Sequence, residues 1–193
     1  MKLDTTFYRE RNALVAAHDL LGMALFTSIH GVRTAGIITE TEAYMGEGDK
    51  ASHASGGRRT RRNEVMYADG GVAYVYLCYG IHHLFNVVVL GKDQPHAVLI
   101  RAINPLHGAE VMLDRRRSPT LTTGGPGTLT QALGIRTDHN REDLTGGRIW
   151  LEDVGVKVPE KKIVIGPRVG VDYAGEDARL PYRFRIAPSQ LIR

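Results

Sequence analysis

Apolar and polar residues alternate along this chain at two different periods, and each change of period marks a change of element. Leu14, Val15, His18 and Leu21 fall near helical spacing, with Asn12 placed to cap the start and Gly22 to end it, which predicts a helix over 12–21. Period-two or continuous β-rich runs then predict strands over 25–27, 34–44, 72–79, 84–90 and 97–103. The pair Asn104-Pro105 is expected to break the last of these. Helices follow over 108–117 and 128–133, the second closed by Gly134, and late strands over 148–151, 161–165 and 182–186. Strands in succession with few intervening helices predict an α+β (mixed α/β) fold. It is a curved, mainly antiparallel sheet with a protruding β-hairpin, flanked by helices.

Length adds that one domain over 1–193 suffices, since 193 residues with 42% hydrophobic content supply a single core. No run is long and apolar enough for a membrane span, and Met1-Lys2-Leu3-Asp4-Thr5 lacks a secretory pattern, so a cytoplasmic monomer is expected. The single cysteine, Cys78, excludes an internal disulfide and a thiolate metal cluster; within an apolar run it reads as a small core residue. Charge changes the picture through its distribution more than its total of +4. Arg58, Arg59, Arg61 and Arg62 lie together behind Gly56-Gly57, and Arg115, Arg116 and Arg117 are consecutive. Either cluster alone reads as a solvated surface. The two together favour phosphate contacts.

Two segments carry candidate chemistry. In 36–44, Ile38, Glu40, Glu42 and Tyr44 would share one face of a strand, and two carboxylates beside a phenol are costly to bury against a core. The plainer reading is a solvent face. Against it stand the aromatic that ends the row and the Gly/His/Arg-rich loop that follows, through Gly46, His53, Gly56 and Gly57. A glutamate at the lip of such a pocket, Glu42, suits a general base. In 73–86, Tyr74 and Tyr76 project to one side, with core packing as the plainer alternative. Tyr79 and Ile81 sit at a hairpin tip with nothing behind them, the composition of a wedge between base pairs. From the residues alone Asn86 reads as structural. His82 and His83 point to opposite faces, and no metal-ligand spacing, phosphate loop or dinucleotide motif occurs, so no metal or organic cofactor is expected.

The segments 37–63, 73–86 and 97–102, followed by Gly125-Pro126-Gly127-Thr128-Leu129-Thr130-Gln131-Ala132-Leu133 and Pro167-Arg168-Val169-Gly170-Val171, closely resemble the alkyladenine (3-methyladenine) DNA glycosylase family. The likeness runs nearly the whole chain, in order, and ends near Pro181-Tyr182-Arg183-Phe184. Its most specific part is Glu40-Thr41-Glu42-Ala43-Tyr44 combined with Tyr76-x-x-Tyr79-Gly80. The resemblance implies that Glu42 deprotonates a water for attack at C1′ of a flipped nucleotide, with Arg101 and the Val169 carbonyl holding that water. It implies that Tyr44, Tyr76 and His53 sandwich the extruded base, that backbone around Ala51 and His53 reads the purine edge, and that Asn86 bars normal guanine. Tyr79 would fill the gap in the duplex with Ile81 beside it, and Arg58 would contact phosphate. The implied partner is double-stranded DNA containing damaged purines, and the implied product is an abasic site in an unbroken strand. A formyl-group transferase is disfavoured because no folate-binding domain is present. A non-catalytic nucleic-acid-binding module is the other alternative.

Overall fold

The alternating run at 32–44 is the spine of the fold. In the computed structural model, which describes residues 1–192, it forms β2 (Val32–Tyr44). A hairpin joins it to β1 (Ala24–Ile29) through His30 and Gly31, both at positive φ (53° and 76°), as a tight two-residue connection between twisted strands demands. A second hairpin consists of β3 (Ala73–Cys78) and β4 (His82–Val89), and β5 (His96–His107) bridges β4 to β2. β6 (Ile149–Glu152) pairs with β1. β8 (Arg183–Arg185) lies beside the part of β2 that β1 leaves free and pairs in turn with β7 (Val164–Gly166). Every named pairing is antiparallel, and the main order is β3-β4-β5-β2-β1-β6. The result is one curled antiparallel sheet with a few helices, the class that the patterning predicts.

Among the described residues, four α-helices accompany it: α1 (Thr5–Arg9), α2 (Ala13–Asp19), α3 (Ala109–Arg116) and α4 (Pro126–Leu133). Asn12 caps α2 as expected, its side chain accepting from the Val15 amide at 3.0 Å. α1 is not in the sequence expectation, although Asp4 caps it in the same way through Phe7. α2 and α4 cover one face of the sheet, and Leu20, Phe85, Ile100, Met112 and Leu133 are fully buried there. Each such side chain contributes roughly 1.5–3 kcal/mol of burial.

Four expectations need correction. Asn104-Pro105 does not break β5; Pro105 pairs with Gly36. β4 accompanies β5 only as far as Leu99, so the proline lies where one side of the strand is an edge and a missing N–H is tolerated. Ile38 does not share the face of Glu40, Glu42 and Tyr44. A register shift between Ile38 and Glu40 turns it into the hydrophobic core. Residues 160–162 form a 3₁₀ turn, so β7 begins at Val164 rather than 161. Cys78 is no core residue: it is half-buried at the end of β3, along the wall of a cleft.

Candidate active site

Side chains on the face opposite α2 and α4 fall into register across five strands. Tyr74 on β3 is paired with Asn86 on β4, Asn86 with Leu99 on β5, Leu99 with Glu42 on β2, and Glu42 with Arg183 on β8. Two residues further along β2, Tyr44 stands opposite Ala97. The loop from Met45 to Tyr67 and the segment 167–173 rise over this row and enclose a cavity of about 650 Å³, in the size range of small-ligand sites. Tyr44, His53, Tyr76, Asn86, Arg101 and Val169 all contribute to its lining.

Glu42 lies deeper than the lip expected from sequence: it is 0% exposed, behind Tyr44, Arg101 and Val169. Its carboxylate accepts from the Val169 amide at 2.8 Å, from the Tyr44 hydroxyl at 3.0 Å and, loosely, from Arg101 Nη1 at 3.4 Å. Val169 therefore meets Glu42 through its N–H. Burial pushes the Glu42 carboxyl above its ordinary value, against the opposing pull of Arg101 and these hydrogen bonds. The Tyr44 phenol is pushed well up by burial and by Glu42, and stays protonated as a donor.

The aromatic side of the cavity is built on His53, whose Nδ1 lies 2.8 Å from the Tyr74 hydroxyl and whose ring meets Tyr76 edge-on at 4.8 Å. Burial, reinforced by Arg62 and Arg58, pulls its pKa down to about 4, so at neutral pH it is an uncharged ring. Asn86 donates to the Tyr74 carbonyl at 3.0 Å and is nearly buried, yet still borders the cavity, so its structural bond and a place at the site coexist. Ala51 is less free than the resemblance implies. Its amide donates to Asp49 and its carbonyl accepts from Tyr173, while at His53 the carbonyl is held by Asn63 and the amide is the backbone group left to read a base edge.

At the mouth, Tyr79 and Ile81 are 89% and 70% exposed on the tip of the β3–β4 hairpin. Tyr79 has φ +50° and Gly80 φ +73°, and the Ile81 amide closes the turn on the Cys78 carbonyl. A left-handed tyrosine costs about 1 kcal/mol, and nothing in the core requires it. α4 steadies the hairpin from behind: the Thr130 hydroxyl donates to the His83 carbonyl at 2.6 Å. Arg58 lies exposed on the neighbouring loop.

A sequence profile of the methylpurine-DNA glycosylase family matches residues 6–190. The chain belongs to that family. Among its relatives is a protein of Chlamydia felis with the provisional name 3-methyladenine DNA glycosylase, 46% identical over 188 residues, 95% of each chain. A protein of the same provisional name from Myxococcus xanthus is 46% identical over 190 residues, 98% of this chain and 92% of its own. Another, from Clostridium acetobutylicum, is 41% identical over 202 residues, all of this chain and 97% of its own. This protein is accordingly a DNA glycosylase of base excision repair. No described helix is long and apolar enough to cross a membrane.

Sequence reasoning brought the cavity residues of this glycosylase together but passed over the groups that hold them. Arg168 is buried; it forms an ion pair with Asp49 (Nη2–Oδ1 2.8 Å), donates to the Ala43 carbonyl and lies 4.9 Å from the Tyr44 ring. Asn63 is buried and ties the loop at its base, donating to the carbonyls of His53 and Arg58. Arg62 stands 5.0 Å from the centroid of Tyr76. The arginine clusters prove mixed. Arg59 is taken up by Glu64 and Asp93, and Arg115 and Arg116 tie α3 to α4.

Proposed function

We propose that this glycosylase receives an alkylated or deaminated purine, of the 3-methyladenine or hypoxanthine type, flipped from duplex DNA, and hydrolyses its N-glycosidic bond with a water activated by Glu42. The observation that carries the reading is a fully buried carboxylate set directly behind a cavity walled by Tyr44, His53 and Tyr76. Extruding a base costs a few kcal/mol, least for damaged and poorly paired bases, and a rigid side chain inserted in the vacated space offsets the cost. Tyr79 is that side chain in this reading, with Ile81 beside it and Arg58 on a phosphate. The extruded base lies against Tyr44, Tyr76 and His53, and a ring-alkylated purine is cationic, which aromatic faces attract. A neutral His53 adds a stacking surface without charge repulsion.

In the chemical step the oxygen of water bonds to C1′ as the C1′–N bond breaks, and the bonding pair leaves with the base. A cationic base departs neutral, a neutral one such as hypoxanthine departs as its anion and takes up a proton from solvent, and in both cases the water proton passes to Glu42. Arg101 and the Val169 backbone keep the carboxylate and the water in place. Asn86, at the cavity edge, crowds the 2-amino group of guanine and so excludes the normal base. The product is an unbroken strand with an abasic site, since no step uses a lysine nucleophile. The test is single-turnover incubation with duplexes carrying 3-methyladenine, 7-methylguanine, hypoxanthine or ethenoadenine, each assayed before and after alkali. Strand breaks at the lesion that appear only after alkali are the expected result. Binding without alkali-labile sites on any lesion would reduce the protein to a damage-binding module. Breaks before alkali would instead indicate lyase chemistry.

A further inference from the structure

Glu40 plays no part in the mechanism above, yet the backbone is arranged around it. Glu40 pairs with Ala102 and Thr41 with Ile100, so Arg101 is the extra residue on β5; a second shift separates Ile38 from Glu40 on β2. Bulges of this kind re-aim side chains, and here the pair puts Glu40 and Arg101 on the same side of the sheet. One oxygen of Glu40 accepts from Arg101 Nε at 2.8 Å and from Arg183 Nε at 2.7 Å. The three side chains are 17%, 14% and 23% exposed, so solvent screens them only in part. Arg101 reaches Glu42 only at 3.4 Å, through Nη1.

We propose that Glu40 is a positioning residue for base release: it tethers Arg101 by Nε so that the guanidinium borders the cavity without closing on Glu42. The inference rests on Glu42 being the base. An arginine free to form a two-pronged pair with Glu42 would hold both carboxylate oxygens and weaken them as proton acceptors. Arg183, brought beside Glu42 by the register of β8, balances the charge of Glu40. The charged and titratable groups around Glu42 are then Glu40 and Tyr44 from its own strand, Arg101 from β5, Arg183 from β8 and Arg168 from the segment before Val169. Glu40 raises the Glu42 carboxyl and Arg101 lowers it.

The experiment is the pH profile of single-turnover release from a duplex containing 3-methyladenine, for the wild type, Glu40→Gln, Arg183→Gln and Glu42→Gln. Removing the Glu40 charge strengthens the hold of Arg101 on Glu42, so the acid limb of Glu40→Gln moves to lower pH by about one unit. The plateau rate falls about tenfold because a weaker base accepts the proton less readily. Affinity for the lesion duplex stays within about twofold, since neither group faces the base stack. Arg183→Gln removes a cation and moves the acid limb the opposite way, which keeps the test alive should Glu40→Gln not fold. An unmoved limb in either variant overturns the proposal. So does a plateau that falls without movement of the limb, which is the sign of general loosening. If Glu42→Gln keeps normal excision, the base assignment fails first. If Glu42→Gln is inactive while the limbs stay put, only the role of Glu40 is lost.

Discussion

Position 42 sets desolvation against charge. A carboxylate at 0% exposure is costly, and the structure keeps it there with one arginine, one phenol and one amide, none of which neutralises it by a close pair. Glu42→Gln preserves the volume and removes the base. Lesion binding should stay near the wild-type value in an equilibrium titration, while single-turnover excision falls by at least about a hundredfold. A variant that still excises at the native rate takes Glu42 out of the base role. Only the deprotonated form accepts a proton, so wild-type excision should fall as the pH drops through a limb lying above the ordinary carboxylate range. His53 makes a separate prediction, about stability. The unfolded chain takes up the imidazole proton near 6.5 and the folded chain near about 4, so the contribution is full above 6.5 and declines as the pH falls towards 4. Denaturant unfolding should show the wild type losing about 1–3 kcal/mol more than His53→Gln across that window, and equal losses would mean that His53 is not held neutral.

Among the elements, the β3–β4 hairpin is the one whose tip the core does not explain. Tyr79→Ser keeps an L-residue at the left-handed position and removes a side chain that is 89% exposed, so the thermal midpoint should hold. Affinity for lesion duplex should nevertheless drop about tenfold or more, measured by fluorescence anisotropy. A collapse in thermal stability would mean the ring packs in the fold, and the wedge would be lost as an idea. The hairpin was legible in sequence because its tip is local: Tyr79-Gly80 flanked by alternating strands. So was the site face of β3, where Tyr74 and Tyr76 keep strict alternation. The bulges beside Glu40 were not legible, because they depend on which residue of β5 lies opposite, and Ile38 was assigned to the wrong face for that reason. The Arg168–Asp49 pair, 119 positions apart, leaves no pattern in either neighbourhood. It clamps the Val169 segment onto the end of β2, so Asp49→Asn should destabilise the protein by about 3 kcal/mol in urea and slow excision as well. Unchanged stability would show that the clamp is not needed.

For the whole molecule the relevant quantity is where unpaired positive charge faces DNA, and a net charge of +4 does not locate it. Proximity in sequence made two arginine clusters look alike. Folding separates them: Arg115 and Arg116 bond to Ala132, Gln131 and Thr122 and act as struts between α3 and α4. Arg59 stacks on Tyr67 and is shared by two carboxylates. Arg58, on the same loop as the cavity wall, is exposed, and its backbone carbonyl is fixed by Asn63 and Tyr67, so its side chain is presented from a rigid base. A phosphate contact of this kind carries no sequence or lesion information. Arg58→Ala should therefore weaken lesion and undamaged duplex by the same factor, and the slope of log affinity against log salt should become shallower by about one. Arg116→Ala should instead lower the thermal midpoint and leave that slope unchanged, because the strut never meets a counterion-releasing phosphate. Were the two variants to shift the salt slope equally, the basic surface would extend across α3, and the duplex would lie over a much wider face than the hairpin and its neighbouring loop define.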